Sequence, residues 1–318
     1  MPSAPPREIA LLALRPLRHA CSACGTCCHG WRVRVRPDEL AGLERCAAEL
    51  DVADPVVDGN LRQVEGRCVF LAEGGLCRIH ARFGLTAKPE VCRRYPLRAT
   101  LAEDGLRVGV DPSCASDSEA WETGPEVAPL RVVERDRRLA GERAAAELEL
   151  LELAALPGLS VAELAAALLH EPEAPPELPQ RFTRHVLASL TAEPLVAHLR
   201  DPRHGAALRA RLEPVIDALE AWTPHQIPLW SQRLSTAQEA WALDTLRRHL
   251  FLRLGDPSVP PLGQTLLWLF AVTACGWAAP GAEFGPSLSA WLRVLRSPPV
   301  WGRLVPDHHA LRRLLSDR

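Results

Sequence analysis

The 318-residue chain reads as an α+β cysteine-cluster domain over residues 1–125, with short hairpins and helices around metal, followed by an all-α helical domain over residues 126–318. Three observations predict this. Nine of the ten cysteines lie at or before Cys114. The stretch that holds them breaks short apolar runs with Gly and Pro, as hairpins and short helices do. Beyond the breaker Glu122-Thr123-Gly124-Pro125, apolar residues recur at three- and four-residue spacing between prolines, which is the helical period.

The first element is Cys21-Ser22-Ala23-Cys24-Gly25-Thr26-Cys27-Cys28, four thiols in eight residues. Such density serves either disulfides, mainly in small secreted chains, or soft-ligand metal binding. The chain is long enough to bury a core without disulfide staples. Its N-terminus carries Arg7, Arg15 and Arg18, but the apolar run from Ile9 to Leu14 is short and leads to no small-residue cleavage site. A reducing, cytoplasmic setting is therefore expected, and with it metal rather than disulfide. Gly25 suits a tight loop that needs positive φ.

Trp31 to Arg36 alternates apolar and arginine residues, as a half-buried strand does. Pro37-Asp38-Glu39 opens a helix that runs to about Leu50. Cys46 falls inside it with no neighbouring cysteine and reads as a small buried residue. Cys68–Leu71 and Leu76–Ile79 flank Glu73-Gly74-Gly75, a hairpin signal that brings Cys68 and Cys77 together. Lys88 to Pro96 reads as a short helical turn bounded by prolines, with Cys92 inside. Leu97–Leu101 and Leu106–Val110 form a second hairpin about Asp104-Gly105, and Asp111-Pro112-Ser113-Cys114 follows directly.

The remainder predicts helices over Val127–Leu156, Ala206–Trp222, Leu262–Trp277, Ser287–Leu295 and His308–Leu315. Capping boxes at Ser160–Glu163 and Ser235–Gln238 open two more, the second ending near Gly255. Glu171 to Pro176 reads as an exposed linker. Trp222, Trp230, Trp241, Trp268, Trp277, Trp291 and Trp301 read as helix-packing residues. Leu262 to Ala279 is uncharged, but Gln264, Thr265 and Thr273 favour a buried helix over a membrane span. A net charge of −2 suggests neither a nucleic-acid groove nor an anionic membrane as partner. Lys88 is the only lysine, and its isolation reads as compositional bias toward arginine.

With Cys46 set aside, eight N-terminal thiols remain, enough for one four-thiolate centre with spares or for two centres. Cys21, Cys24 and Cys27 have the rhythm of ferredoxin-type loops but lack the fourth cysteine three residues on. Adjacent side chains such as Cys27 and Cys28 are expected to diverge, which favours two centres, or one ligand and one structural thiol. Zinc would need only tetrahedral thiolates. A four-iron cluster would be anionic, and Arg32, Arg34, Arg36, Arg93 and Arg94 either offset that charge or form a solvated face. His29 and His80 lie near the sulfurs, but the thiols suffice without them. Tyr95, the only tyrosine, is either a proton or hydrogen-bond donor or a buried amphipathic side chain.

Taken in order, CSACGTCC, CVFL, GLCRIH, VCRRYP and DPSC resemble the bacterial YkgJ-type cysteine-cluster proteins, over roughly residues 18–120. That family is described as carrying a zinc- or iron-chelating domain. The resemblance implies that Cys21, Cys24, Cys27, Cys28, Cys68, Cys77, Cys92 and Cys114 form the metal-binding set, with His80 at a position where relatives are expected to vary. Cys-Cys-His-Gly-Trp at residues 27–31, the Asp-Pro-Ser-Cys ending and the helical tail are similar to the flagellin lysine N-methylases. This second likeness implies an iron–sulfur cluster with one coordination site open, S-adenosylmethionine, and a cleft between the two domains lined by Arg93, Arg94, Tyr95 and part of the Arg32–Arg36 strand. The sequence has no Gly-rich fingerprint of a Rossmann methyltransferase and assigns no base for the lysine amine. The expected function is a metal-binding protein, zinc or iron–sulfur, whose helical domain binds a partner. The alternative is an S-adenosylmethionine-dependent protein-lysine N-methylase.

Overall fold

A computed structural model describes residues 9–139, 141–168, 200, 201, 205–221, 234–255 and 257–296. The cysteine-bearing part begins with strand β1 (Leu11–Leu12) and a 3₁₀ turn over Thr26–Cys28. Helix α1 (Pro37–Glu49) follows, with Pro37 at its first position and Asp38 and Glu39 in the first turn. Two short hairpins come next, β2 (Val56–Val57) with β3 (Asn60–Leu61), and β4 (Gln63–Val64) with β5 (Arg67–Cys68). Helices α2 (Arg78–Phe83) and α3 (Glu90–Arg94) precede the main hairpin, β6 (Leu97–Leu101) with β7 (Leu106–Val110). Helix α4 (Asp117–Ala120), strand β8 (Arg135–Asp136) and helix α5 (Glu142–Leu153) complete the passage to the helical region. That region continues with α6 (Val161–Leu168), α7 (Ala206–Ala221), α8 (Thr236–Phe251), α9 (Pro261–Ala278) and α10 (Phe284–Val294). The expected α+β region followed by helices is what the structure has.

The larger sheet has the order β1-β7-β6-β8. β6 and β7 are antiparallel from Leu97↔Val110 to Leu101↔Leu106, and the hairpin closes at Asp104-Gly105 as the sequence predicts. β1 and β8 add in parallel at the two edges. Every residue of β7 is buried, because the end of α8 lies across it. Gly109 makes that approach close: a Cβ there would sit 2.9 Å from Leu252 Cδ1. The Thr100 hydroxyl donates to the Leu252 carbonyl at 2.9 Å, and Arg248 donates to Val110 O at 3.1 Å.

A second core lies under the cysteine-rich loops, built from Val33, Val35, Leu43, Ala47, Leu61, Phe70 and Ile79. The alternation over Trp31–Arg36 holds in burial: Val33 and Val35 point in, and Arg32, Arg34 and Arg36 are exposed. It forms no full strand, however, because it pairs only through the single bridge Arg34↔Asn60 and its flanking bonds. The Glu73–Gly75 turn also forms, with Leu71 bridged to Cys77, but Leu76–Ile79 is not a strand. Helix α2 begins at Arg78, and the hairpin is cut to one bridge. Cys46 is half-buried against this core rather than fully buried.

The predicted helix over Val127–Leu156 is the largest departure. Among its described residues only Glu142–Leu153 is helical; Arg135–Asp136 extends the sheet beside Thr100 and Leu101. Pro129 and the β-branched pair Val132-Val133 disfavour a helix there, and β6 offers an unpaired edge. Both capping boxes form, Ser160 with Glu163 and Ser235 with Gln238. The helix opened by Ser235 ends at Phe251, short of Gly255.

The helical core packs Leu164, Leu212, Ile216, Leu246, Trp268, Phe270, Phe284 and Trp291 around α9. Two of its polar residues are satisfied locally: Thr265 and Thr273 donate to the carbonyls of Pro261 and Leu269, one turn back. Among the described residues no helix is long and apolar enough to cross a membrane. Trp241, Trp268 and Trp291 are core residues, as expected. Trp222, Trp230, Trp301, the 171–176 linker and the 308–315 helix lie outside the described residues, as does the side chain of Trp277.

Candidate metal centre

Gly25 takes φ 70°, the left-handed conformation expected of it, and turns the chain into the 3₁₀ segment Thr26–Cys28. The turn is closed by Cys28 N donating to Gly25 O at 2.8 Å and His29 N donating to Thr26 O at 3.2 Å. This tight turn overturns the expectation that Cys27 and Cys28 diverge. Their sulfurs are 3.9 Å apart. Two sulfurs on one tetrahedral zinc, each about 2.3 Å from the metal, are about 3.8 Å apart. Neighbouring side chains separate in an extended chain, whereas a 3₁₀ turn brings these two to the same side.

The loop is held from two directions. Gly75, at φ 80°, lies against it so closely that a Cβ would stand 1.9 Å from Ala23 O. Ser22 N donates to Ser116 Oγ at 3.0 Å, and the two hydroxyls meet at 2.8 Å. The first contact joins the loop to the turn between Cys68 and Cys77. The second joins it to the segment carrying Cys114.

The result is one cavity of about 320 Å³ with Cys21, Cys24, Cys27, Cys28, Cys68, Cys77, Cys92 and Cys114 all on its wall. Cys46 and Cys275 are not on it. All ten cysteines are free thiols. His19, His80, Lys88, Arg93, Arg94 and Tyr95 also line the cavity, and among the described residues no Asp or Glu does. The ladder Arg32, Arg34 and Arg36 stays outside; Arg36 pairs with Asp38 and Glu90.

Burial pushes the thiols of Cys68 and Cys92 up to about 11 and about 12, and that of Cys114 higher still. Cys27 moves down, because Cys28 hydrogen-bonds to it and Arg293 and Lys88 add positive charge. Cys28 moves up in step, since the pair shares a proton. Burial thus favours the protonated form of Cys68, Cys92 and Cys114, and a bound metal would displace their protons.

Behind the wall stands Asp111, from the Asp-Pro-Ser-Cys segment. It is fully buried and takes ion pairs from Arg98 at 3.0 Å and Arg296 at 2.7 Å. Burial opposes its ionisation, but these two cations and the Ser113 hydrogen bonds hold its carboxyl well below the usual carboxylate range. Cys114 N donates to Asp111 O at 3.1 Å, so this network sets where Cys114 stands. Trp31 and Tyr95 pack edge to face at 4.4 Å between centroids. The Tyr95 hydroxyl is buried near Ser113 without a hydrogen bond of good geometry, and burial raises its pKa.

Arg293, from α10, completes the back of the site. It donates to Thr26 O at 2.5 Å and to His29 O, the carbonyls that bracket the Cys27-Cys28 pair, and lies 4.5 Å from the Trp31 ring. Sequence reasoning missed it, along with His19 and Lys88. Lys88 had a signal, being the chain's only lysine beside Cys92. Arg293 had none.

Among the described residues no three His, Cys, Asp or Glu side chains stand close enough together to hold an ion as placed. In kind, the donor set fits a thiolate-bound metal: eight soft donors, cations beside them, and no carboxylate on the wall among the described residues. In size, the cavity exceeds what a single ion fills. Arg93 and Arg94, the predicted cofactor contacts, reach the wall but are engaged, Arg93 with Thr86 O and Arg94 with Glu90 and Val132 O.

Residues 20–115 match the cysteine-cluster family CxxCxxCC, described as "Putative zinc- or iron-chelating domain". The match covers the cysteine-bearing part and stops just past Cys114. No curated protein matches the chain, and no solved structure matches it.

Proposed function

We propose that residues 20–115 hold a thiolate-bound centre of zinc or iron, the iron form being an iron–sulfur cluster, and that the helical region presents a surface to a protein partner. The observation that carries this is the sorting of the cysteines: the eight predicted ligands share one cavity, and the two predicted bystanders are elsewhere. Zinc would supply a closed structural node; an iron–sulfur cluster would supply an electron carrier or a Lewis-acid site. The chain's own contribution is to gather the thiols, exclude water with apolar residues such as Trp31, Phe70 and Ile79, and place Lys88 and Arg293 near the anionic sulfurs. Clustered free thiols suit a reducing, cytoplasmic setting.

The test is elemental analysis, acid-labile sulfide and an absorption spectrum on protein purified without oxygen. Zinc without sulfide supports a structural centre. Iron with matching sulfide supports a cluster. Protein that retains neither, and takes up neither when supplied with Zn²⁺ or with Fe²⁺ and sulfide, refutes the reading.

The volume of the cavity and the cationic Arg93 and Arg94 on its wall favour, as a second reading, room for S-adenosylmethionine beside the metal. In that reading the arginines would meet the methionine carboxylate of a protein-lysine N-methylase cofactor. Calorimetric titration of metal-loaded protein with S-adenosylmethionine decides it, and no heat of binding removes it.

A further inference from the structure

Four arginines are buried among the described residues: Arg107, Arg248, Arg253 and Arg293. Three have carboxylate partners. Arg107 pairs with Asp104 and Glu147, Arg248 with Asp117, and Arg253 with Glu103 and Glu147. Arg293 is the exception. Its hydrogen bonds go to two neutral carbonyls, Thr26 O and His29 O, and its face to the Trp31 ring. Asp111 acts on it through space but is already held by Arg98 and Arg296. Burying a guanidinium without a counter-charge is costly, and elsewhere this fold avoids it.

The two carbonyls that Arg293 holds, Thr26 O and His29 O, bracket the Cys27-Cys28 pair. A protonated thiol is neutral, whereas a metal-bound thiolate is not. A zinc or iron centre held by four thiolates is a net anion, and loading the cavity would give Arg293 the partner it lacks. Its position also matters: it is the contact through which helix α10 grips the backbone of the Cys27-Cys28 turn.

Resting on the metal-centre reading, we propose that Arg293 is the counter-charge of the thiolate centre, so that metal loading and the docking of α10 on the cysteine loop strengthen each other. Arg293 is a positioning residue: it orients the turn and offsets charge but ligates nothing. The coupling is reciprocal by thermodynamic necessity, so each partner's effect reads out the other's.

The experiment uses the full chain, reduced and metal-free, with Zn²⁺ as the probe in competition with a chromophoric chelator. Wild type is compared with Arg293→Met, Arg293→Gln and Arg293→Lys. Loss of a residue that supports metal ligands typically weakens affinity about 10- to 100-fold, and that is the expected loss for Arg293→Met. Gln keeps hydrogen-bond donors without charge; Lys keeps the charge without the planar fork. A counter-charge role ranks Lys above Gln in Zn²⁺ affinity. A role confined to holding carbonyls ranks Gln equal to or above Lys and overturns the proposal, even if Arg293→Met fails to fold. Amide exchange across residues 284–294 supplies a second readout: Zn²⁺ should slow it in wild type and slow it less in Arg293→Gln. A helix whose exchange ignores Zn²⁺ in wild type overturns the coupling. Wild type that binds no Zn²⁺ and assembles no iron–sulfur cluster refutes the metal-centre reading itself, a different failure.

Discussion

Replacing Asp111 by Asn removes the one negative charge between Arg98 and Arg296 while keeping the side-chain shape. The carboxylate is 0% exposed and its partners are 12% and 15% exposed. Breaking a buried pair by removing one partner costs about 3–5 kcal/mol. The lower end applies here, because Arg98 keeps Glu134 at 2.8 Å and the Asn carbonyl still accepts from Ser113. A loss of about 3 kcal/mol lowers the melting temperature of a chain this long by about 4–5 °C. Far-UV circular dichroism on metal-free, reduced protein reads it. The sign with pH follows from the depressed carboxyl of Asp111. Its folded pKa lies below the unfolded value of about 3.9, so the stability it contributes is complete above about pH 5 and is lost as pH falls. The gap between wild type and variant is therefore constant from neutral pH to about 5 and closes below that. A variant that melts within about 1 °C of wild type near neutral pH would refute the reasoning, as would a gap that persists undiminished into acid.

Gly75→Ala places a Cβ 1.9 Å from Ala23 O at a residue with φ 80°, so the Cys21–Cys28 loop must shift. Zn²⁺ affinity should fall by about tenfold or more, while the distant Thr236–Phe251 helix keeps its protection from amide exchange. Unchanged affinity would mean that this contact does not position the loop. Cys77→Ser should lower Zn²⁺ stoichiometry or affinity, measured by the same chelator competition. Cys46→Ser and Cys275→Ser should leave both unchanged, since neither thiol lines the cavity. Metal lost from Cys46→Ser would show the ligand set to be wrong.

Much of the local structure was legible in residue order. Pro37-Asp38-Glu39, the Ser160 and Ser235 boxes and the Asp104-Gly105 turn each act over three or four residues, and each formed where predicted. Spacing and family resemblance set eight thiols apart from Cys46 and Cys275, and those eight line one cavity. Less local matters were not legible. Residues 127–136 carry apolar residues at helical spacing, yet an open edge on β6 draws Arg135–Asp136 into the sheet. That edge exists only once the hairpin has folded. The convergence of Cys27 and Cys28 depends on a 3₁₀ turn that adjacent cysteines do not announce.

Sequence alone therefore determined which atoms are available: soft donors in quantity, a hairpin to carry the last of them, and helices to pack behind. Tertiary structure decided which charges face those donors. Arg293 stands 264 residues from His29, whose carbonyl it holds, and Arg296 stands 185 residues from Asp111. Pairing at that separation leaves no periodicity or motif, because it is set by how α10 lies against the cysteine loop. The physical reason is reach: a cap or a turn is satisfied by its neighbours, whereas a buried charge is satisfied by whatever the fold brings beside it.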